Sequence, residues 1–263
     1  LAALKNRPYV DISATALRLD RLETAVSGLP LVLDGVLQPG EQAQSNGSAL
    51  AIGISQYTPD GNGYENAVIN LSGYHNSTSD TIPYYAKNHL VPFGEYKPLP
   101  TITERLYKMM DMPLADFQKG GDNQAPLVMK DQKVAFNICY EDGFGDELIA
   151  TAKRSTLLAN ISNMAWYGKS NAMYQQLQQS QARAMELGRY MVRATNTGAT
   201  AIISPKGTIV AEAQPNTETV LEGHVKGYIG ETPYMKAGGS TWLISILAVI
   251  GVFLILIGRK KPE

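Results

Sequence analysis

The one cysteine in the chain, Cys139, sits in "FNICYED", residues 136–142, between strand-like apolar residues and an acidic pair. A thiol attacks a carbonyl carbon as its thiolate, and a helix N-terminus, a nearby cation or a base favours that form. Val134, Phe136 and Ile138 alternate with Ala135, Asn137 and Cys139, and "DELIATAKR" follows with helical character, so the pattern predicts a strand-to-helix turn at Cys139. Free cysteines are also ordinary core residues. Locally, nucleophile and buried thiol both stand. One cysteine excludes an intrachain disulfide, and three histidines without CxxC or HExxH spacing leave no zinc motif, so no metal and no cofactor are expected.

The elements that must position this turn can be read around it. "SALAIGISQY" (48–57) reads as a buried strand, and "NGYENAVINLSG" as its hairpin partner across the turn-forming "PDGNG". "KNHLVPFGEYKPLP" (87–100), rich in proline and glycine, reads as an ordered loop, the kind of segment on which site residues are carried by a rigid scaffold. "STLLANISN" reads as another buried strand, "NAMYQQLQQSQARAMELGRY" as a long helix ending near Gly188, and "MVRATNTGATAIISPKGTIVAEA" as two strands around "SPKG". Strands interleaved with helices argue an α/β fold, with two sheets where strands follow one another directly. The Met-rich "YKMMDMPL" suits either a flexible apolar lid or a packed helix end.

With 263 residues and 44% apolar content the chain can bury a sizeable core. A formal charge of −1 and no basic stripe with interleaved aromatics argue against nucleic acid as a partner. The sharpest break in composition is "TWLISILAVIGVFLILIG", Thr241 to Gly258, which carries no charge before "RKKPE". As a helix it spans roughly 27 Å, close to a bilayer core, with Trp242 as an interface anchor. The basic residues after it favour a cytoplasmic C-terminus, with the body of the protein on the periplasmic or outer face of a bacterial inner membrane. The chain opens "LAALKNRPYVD", without an initiating Met or a signal pattern, so a further segment upstream is expected. Residues 1–236 form the expected catalytic domain, and residues 237–263 the transmembrane helix and basic tail.

Taken together, "ICYE", "KNHLVPFGEY", "SNMAWYG", "ARAMELGRYMVRATNTG" and "TPYMKAG" resemble the carbon-nitrogen hydrolase (nitrilase) superfamily, and within it the apolipoprotein N-acyltransferase family. The resemblance runs over roughly residues 23 to 258, in order and spacing. It implies a nitrilase-like αββα sandwich followed by a C-terminal transmembrane helix. Several upstream membrane helices expected of that family are absent from these residues.

The resemblance also implies a Glu–Lys–Cys triad. Cys139 matches the nucleophile, which takes an acyl group as a thioester. Lys87 matches the lysine that stabilises the oxyanion; by itself it could be a solvated surface lysine. Glu95 and Glu141 match acidic residues kept close to the triad, although a loop salt bridge explains each equally well. Glu23, in "LETAVSG", matches the general base. There the sequence departs from the family's apolar strand ending in Trp-Pro-Glu: it reads "ALRLDRLE", with Arg18, Asp20 and Arg21 where buried residues belong. Tyr140, Asn163 and Trp166 fall where the family lines its pocket, and each aromatic is equally explicable as packing.

The function implied is transfer of a fatty acyl group from a membrane phospholipid, through Cys139, to the N-terminal amine of an S-diacylglyceryl-cysteine apolipoprotein. Its rivals are a nitrilase-like amidase acting on a small amide and a non-catalytic membrane-tethered binding protein. The apolar terminal segment distinguishes the acyltransferase from a soluble amidase. The poor match around Glu23 motivates the binding protein.

Overall fold

A computed structural model describes the backbone of residues 9–16 and residues 42–71, 82–98 and 117–258 in full. Glu23 and the Met-rich stretch 107–114 lie outside the described residues. The strands are β1 (Tyr9–Ala16), β2 (Ala51–Tyr57), β3 (Tyr64–Asn70), β4 (Tyr84–Ala86), β5 (Leu127–Met129), β6 (Gln132–Ile138), β7 (Leu157–Ser162), β8 (Met191–Thr195), β9 (Ala201–Ile203), β10 (Ile209–Glu212) and β11 (Thr219–Lys226). Among the described residues after β4, the α-helices are α1 (Gly145–Lys153), α2 (Ala172–Leu187), α3 (Pro233–Ala237) and α4 (Thr241–Gly258).

A six-stranded sheet runs β10-β9-β8-β7-β6-β5, with β6, β7 and β8 parallel and the remaining pairs antiparallel. Strict alternation along β6 decides its two faces. Val134 and Phe136 pack with Val68, Tyr85, Ile202 and Val225 in an apolar layer against the strands of the other sheets. Ala135, with Leu158 and Met191, packs instead on Ile149, Leu177 and Leu187 of α1 and α2. The antiparallel β2-β3-β4 sheet and the β1–β11 ribbon thus share one side of the large sheet, and the helices cover the other. This is the α/β sandwich expected of the nitrilase type, with two β layers and one helical layer among the described residues.

The β2–β3 hairpin, β6, α1, β7, α2 and α4 lie where the sequence pattern puts them. The segment 191–213 holds three strands rather than two, because β8 is a full parallel partner of β7, while β9 and β10 flank "SPKG". The short β4 escapes pattern reading: three residues are too few to show a period. α2 ends where Gly188 adopts φ +64°, a left-handed cap that glycine reaches without strain. Arg189 follows, almost fully buried, and its guanidinium donates to the carbonyls of Ala152, Ser155, Leu187 and Gly230 at 2.8–3.1 Å. It thereby closes the C-terminal ends of α1 and α2 at once.

α4 carries no charged residue, and none of it is buried against the domain. It is long and apolar enough to cross a membrane. Its one interior hydroxyl, Ser245 Oγ, donates to the Thr241 carbonyl at 2.9 Å and so needs no water. At its start, Ser240 donates its backbone N–H to Asp146 Oδ1 at 3.1 Å and its hydroxyl to Asp146 Oδ2 at 2.5 Å. Asp146 lies in the first turn of α1, so the apolar helix leaves the domain beside the element that follows Cys139.

Candidate active site

β6 ends at Ile138, and a 3₁₀ turn, Cys139–Gly143, leads into α1. Cys139 has φ +56°, a left-handed conformation that costs a non-glycine residue about 1–3 kcal/mol. The surrounding contacts hold it there. Cys139 is only partly buried, which sets it apart from a sealed core residue.

Glu141 is the hub of this turn. Its Oε1 accepts the backbone N–H groups of Asn88 at 2.8 Å and His89 at 3.0 Å, and its Oε2 accepts Ile138 N at 2.6 Å and the Tyr85 hydroxyl at 3.0 Å. One carboxylate therefore ties the loop after β4 to the end of β6. Burial pushes its pKa up, and the donors from His89, Ile138, Asn88 and Tyr85 only partly offset that cost. Burial, with the charge of Glu141 beside it, likewise raises the Tyr85 hydroxyl well above its usual range.

Lys87 follows β4 directly. Its backbone is held on both sides, by Lys87 N to Asn66 O at 2.7 Å and Gly120 N to Lys87 O at 2.8 Å. Gly120 is required there, since a Cβ would collide with the Ala86 carbonyl oxygen. The side chain is only 1% exposed, and its ammonium donates to Glu95 Oε1 at 2.8 Å and Oε2 at 2.7 Å. Glu95 in turn accepts Asn66 Nδ2 at 2.5 Å and Val91 N at 2.7 Å. Both acidic residues of the loop reading therefore have defined tasks: Glu95 holds the lysine, and Glu141 holds the loop.

The Lys87 ammonium lies 5.8 Å from the centre of the Tyr140 ring, within cation–π range. Tyr140 packs edge-on against Phe144 and His89. Its hydroxyl is raised above its usual value first by burial, then by the acidic groups around it, Tyr96 and Glu95 foremost. Tyr167 is raised above its usual value, first by burial. Lys87, held by Glu95 and lying over the ring of Tyr140, brings the loop after β4 near the turn that begins at Cys139.

Asn163 and Trp166 occupy the loop after β7. Asn163 Oδ1 accepts Ala165 N at 3.1 Å and Asn196 Nδ2 at 2.7 Å, so it shapes the loop. Trp166 is 81% exposed on the short 3₁₀ turn Ala165–Tyr167.

The sequence reading missed the polar network beneath Cys139. Asn137, Asn160 and Arg193 stand in register on β6, β7 and β8, facing α2. Asn160 Nδ2 donates to the Cys139 carbonyl at 2.9 Å and to Asn137 Oδ1. Arg193 and Asp142, both fully buried, form an ion pair at 3.3 Å, and Ser180 donates to the same Asp142 oxygen. Burial raises Asp142 and lowers Arg193, each opposed by the other's charge. A signal was available: Gln176, Ser180 and Arg183 recur at helical spacing along α2, a polar stripe on a face that should otherwise be apolar.

Comparison with known proteins places this geometry in a family. The carbon-nitrogen hydrolase family model matches residues 36–234. The chain is 77% identical over 221 residues to apolipoprotein N-acyltransferase of Neisseria meningitidis serogroup B, covering 84% of this chain and 43% of that protein. It is 48% identical over 252 residues to apolipoprotein N-acyltransferase of Chromobacterium violaceum, covering 94% and 48%. The chain thus spans about half the length of the curated relatives it matches. Among solved structures, Saccharomyces cerevisiae Nit3, a member of branch 10 of the nitrilase superfamily, superposes with a TM-score of 0.53 at 14% identity, covering 83% of this chain and 90% of that one. The C. elegans NitFhit protein gives a TM-score of 0.52 at 19% identity, covering 72% and 45%, and like Nit3 it shares the fold. With its family model matched over most of its length and its strands laid out as in these structures, the chain belongs to the carbon-nitrogen hydrolase family.

Proposed function

We propose that this chain carries the acyl-transfer chemistry of a membrane-anchored N-acyltransferase of the apolipoprotein type. The Cys139 thiolate attacks the carbonyl carbon of a phospholipid acyl ester. The ester C–O bond breaks, the lysophospholipid leaves with a proton returned by the general base, and the acyl group remains as a thioester. The α-amine of an S-diacylglyceryl cysteine then attacks that thioester. The C–S bond breaks, the thiolate departs with the electron pair, and the base accepts the amine proton. Glu23 fills the role of base in this reading. Lys87, oriented by Glu95, faces the oxyanion of both tetrahedral intermediates, where a fixed positive charge contributes most. Proximity to lipid supplies the donor and keeps water from the thioester.

The observation that carries this reading is the attachment of α4 to α1 through Asp146 and Ser240, which puts a membrane-length helix beside the nucleophile turn. A soluble amidase has no use for it. The high identity to relatives named as apolipoprotein N-acyltransferases supports the same choice. Arg259, Lys260 and Lys261 after α4 support a cytoplasmic C-terminus, with the catalytic domain on the outer side of the membrane.

Incubating the chain with phospholipid vesicles and measuring its intact mass should reveal one added acyl group, absent in Cys139→Ala. Addition of a diacylglyceryl-cysteine peptide should discharge that group onto the peptide amine. Ammonia release from small amides, without any acyl-enzyme from lipid, would replace this reading with the amidase.

A further inference from the structure

We infer that Gln176 is a positioning residue for the Cys139 sulfur, with its amide locked in one orientation by the buried guanidinium of Arg193. The inference rests on Cys139 being the nucleophile, and not on which acyl donor it uses.

An amide side chain has an accepting end and a donating end, whereas a guanidinium only donates. Arg193 Nη2 lies 2.6 Å from Gln176 Oε1, so the carbonyl end of Gln176 must face Arg193. The NH₂ end is thereby turned toward Cys139, with Nε2 3.8 Å from Sγ. Arg193 cannot release it cheaply: the guanidinium is fully buried, and its Nη1 is engaged by Asn160 Oδ1 at 2.8 Å, Ser180 Oγ at 3.0 Å and Asp142 Oδ2 at 3.3 Å. Flipping the Gln176 amide would set two donors against each other in a buried space, leaving both unpaired.

The contact strengthens when the sulfur carries charge, because a hydrogen bond to an ionised acceptor is roughly twice as strong as a neutral one. Gln176 is itself buried, so water does not compete for the donor. Structure alone is a poor reason for this arrangement. A buried ion pair with attendant amides is commonly replaceable by apolar residues without loss of stability, so holding α2 against the large sheet does not require it. What apolar packing could not supply is an oriented donor at the sulfur. Ser180 and Arg183, one and two turns on, grip Asp142 from the same face of α2, so the helix that carries Gln176 also fixes the turn that carries Cys139.

The test is the rate of Cys139 alkylation by iodoacetamide in the full chain held in detergent micelles. Cys139 is the only thiol, so each mass increase reports that residue. Gln176→Leu removes the donor and should slow alkylation about tenfold, the equivalent of one hydrogen bond of ~1.4 kcal/mol. Gln176→Glu is isosteric: it keeps an oxygen on Arg193, which holds the new carboxylate ionised, but offers the sulfur an acceptor. It should be at least as slow as Gln176→Leu, while unfolding within a few degrees of the wild type. A wild-type alkylation rate in either folded variant overturns the inference. Should the Leu variant fail to fold, the Glu variant decides alone. Failure to detect an acyl-enzyme from phospholipid would count against the proposed donor and leave this outcome intact, since the thiol reagent needs no lipid.

Discussion

At the scale of single residues, the site is governed by two carboxylates with opposite duties, Glu141 buried and Glu95 half-buried. Glu95 pairs with Lys87, and Lys87→Met would remove both the proposed oxyanion donor and the partner of that carboxylate. Acyl-enzyme formation in a single turnover should fall by about 10²–10³-fold, and the abandoned carboxylate should cost about 3 kcal/mol or more in chemical unfolding. Glu141 works through hydrogen bonds, at the expense of desolvation, and its pKa lies above the ordinary 4.5. The folded state therefore holds this proton more tightly than the unfolded chain does. The contribution to stability is full below pH ~4.5 and is lost as pH rises through the folded value. Glu141→Gln does not titrate, so the stability advantage of the wild type over it should be largest near pH ~4 and shrink toward neutrality. Guanidinium unfolding of both proteins across that range measures the difference directly.

Among the elements, α1 and α2 matter because their ends converge on one side chain. Arg189 donates to four carbonyls that come from α1, the turn after it, α2 and the segment before α3. Arg189→Met retains much of the volume but leaves those acceptors without a donor in a place water does not reach. A loss of about 3 kcal/mol in unfolding free energy is expected. The turn that carries Cys139 should suffer with it, because α1 begins two residues beyond that turn and α2 supplies Gln176, Ser180 and Arg183. Alkylation of Cys139 in the still-folded variant reports that transmission.

For the molecule as a whole, the decisive joint is between the domain and α4. Asp146 accepts from Ser240 and from the Tyr234 hydroxyl, and it stands seven residues after Cys139. Burial opposes its charge, but the donors from Ser240 and Tyr234 outweigh that and hold its pKa low, so the joint is charged at neutral pH. Asp146→Ala should loosen the junction, seen as faster amide exchange over residues 238–241. Transfer from vesicle phospholipid should then drop on the order of tenfold, since small misplacements of a bound reactant are costly. Iodoacetamide alkylation of Cys139 should be unchanged, because that reaction does not need the bilayer at a fixed height.

What the sequence by itself determined were the features that depend on near neighbours along the chain. The alternation through Val134, Phe136 and Ile138 sets which face of β6 meets the other sheets, and the charge-free run from Thr241 to Gly258 sets a membrane-length helix. Both follow from periodicity and composition, which need no knowledge of what packs opposite. The family motifs also marked Cys139, Lys87, Glu95 and Glu141, but not what each one touches. Only the tertiary structure decided that Glu95 holds Lys87, that Glu141 reaches back 53 residues to the amide of Asn88, and that Arg193 turns Gln176 toward the thiol. The β1–β11 pairing, which joins Tyr9 to Lys226, belongs with them. Such contacts depend on strand order and register, and a shift of one residue in β8 would put Arg193 on the opposite face of the sheet, away from Gln176.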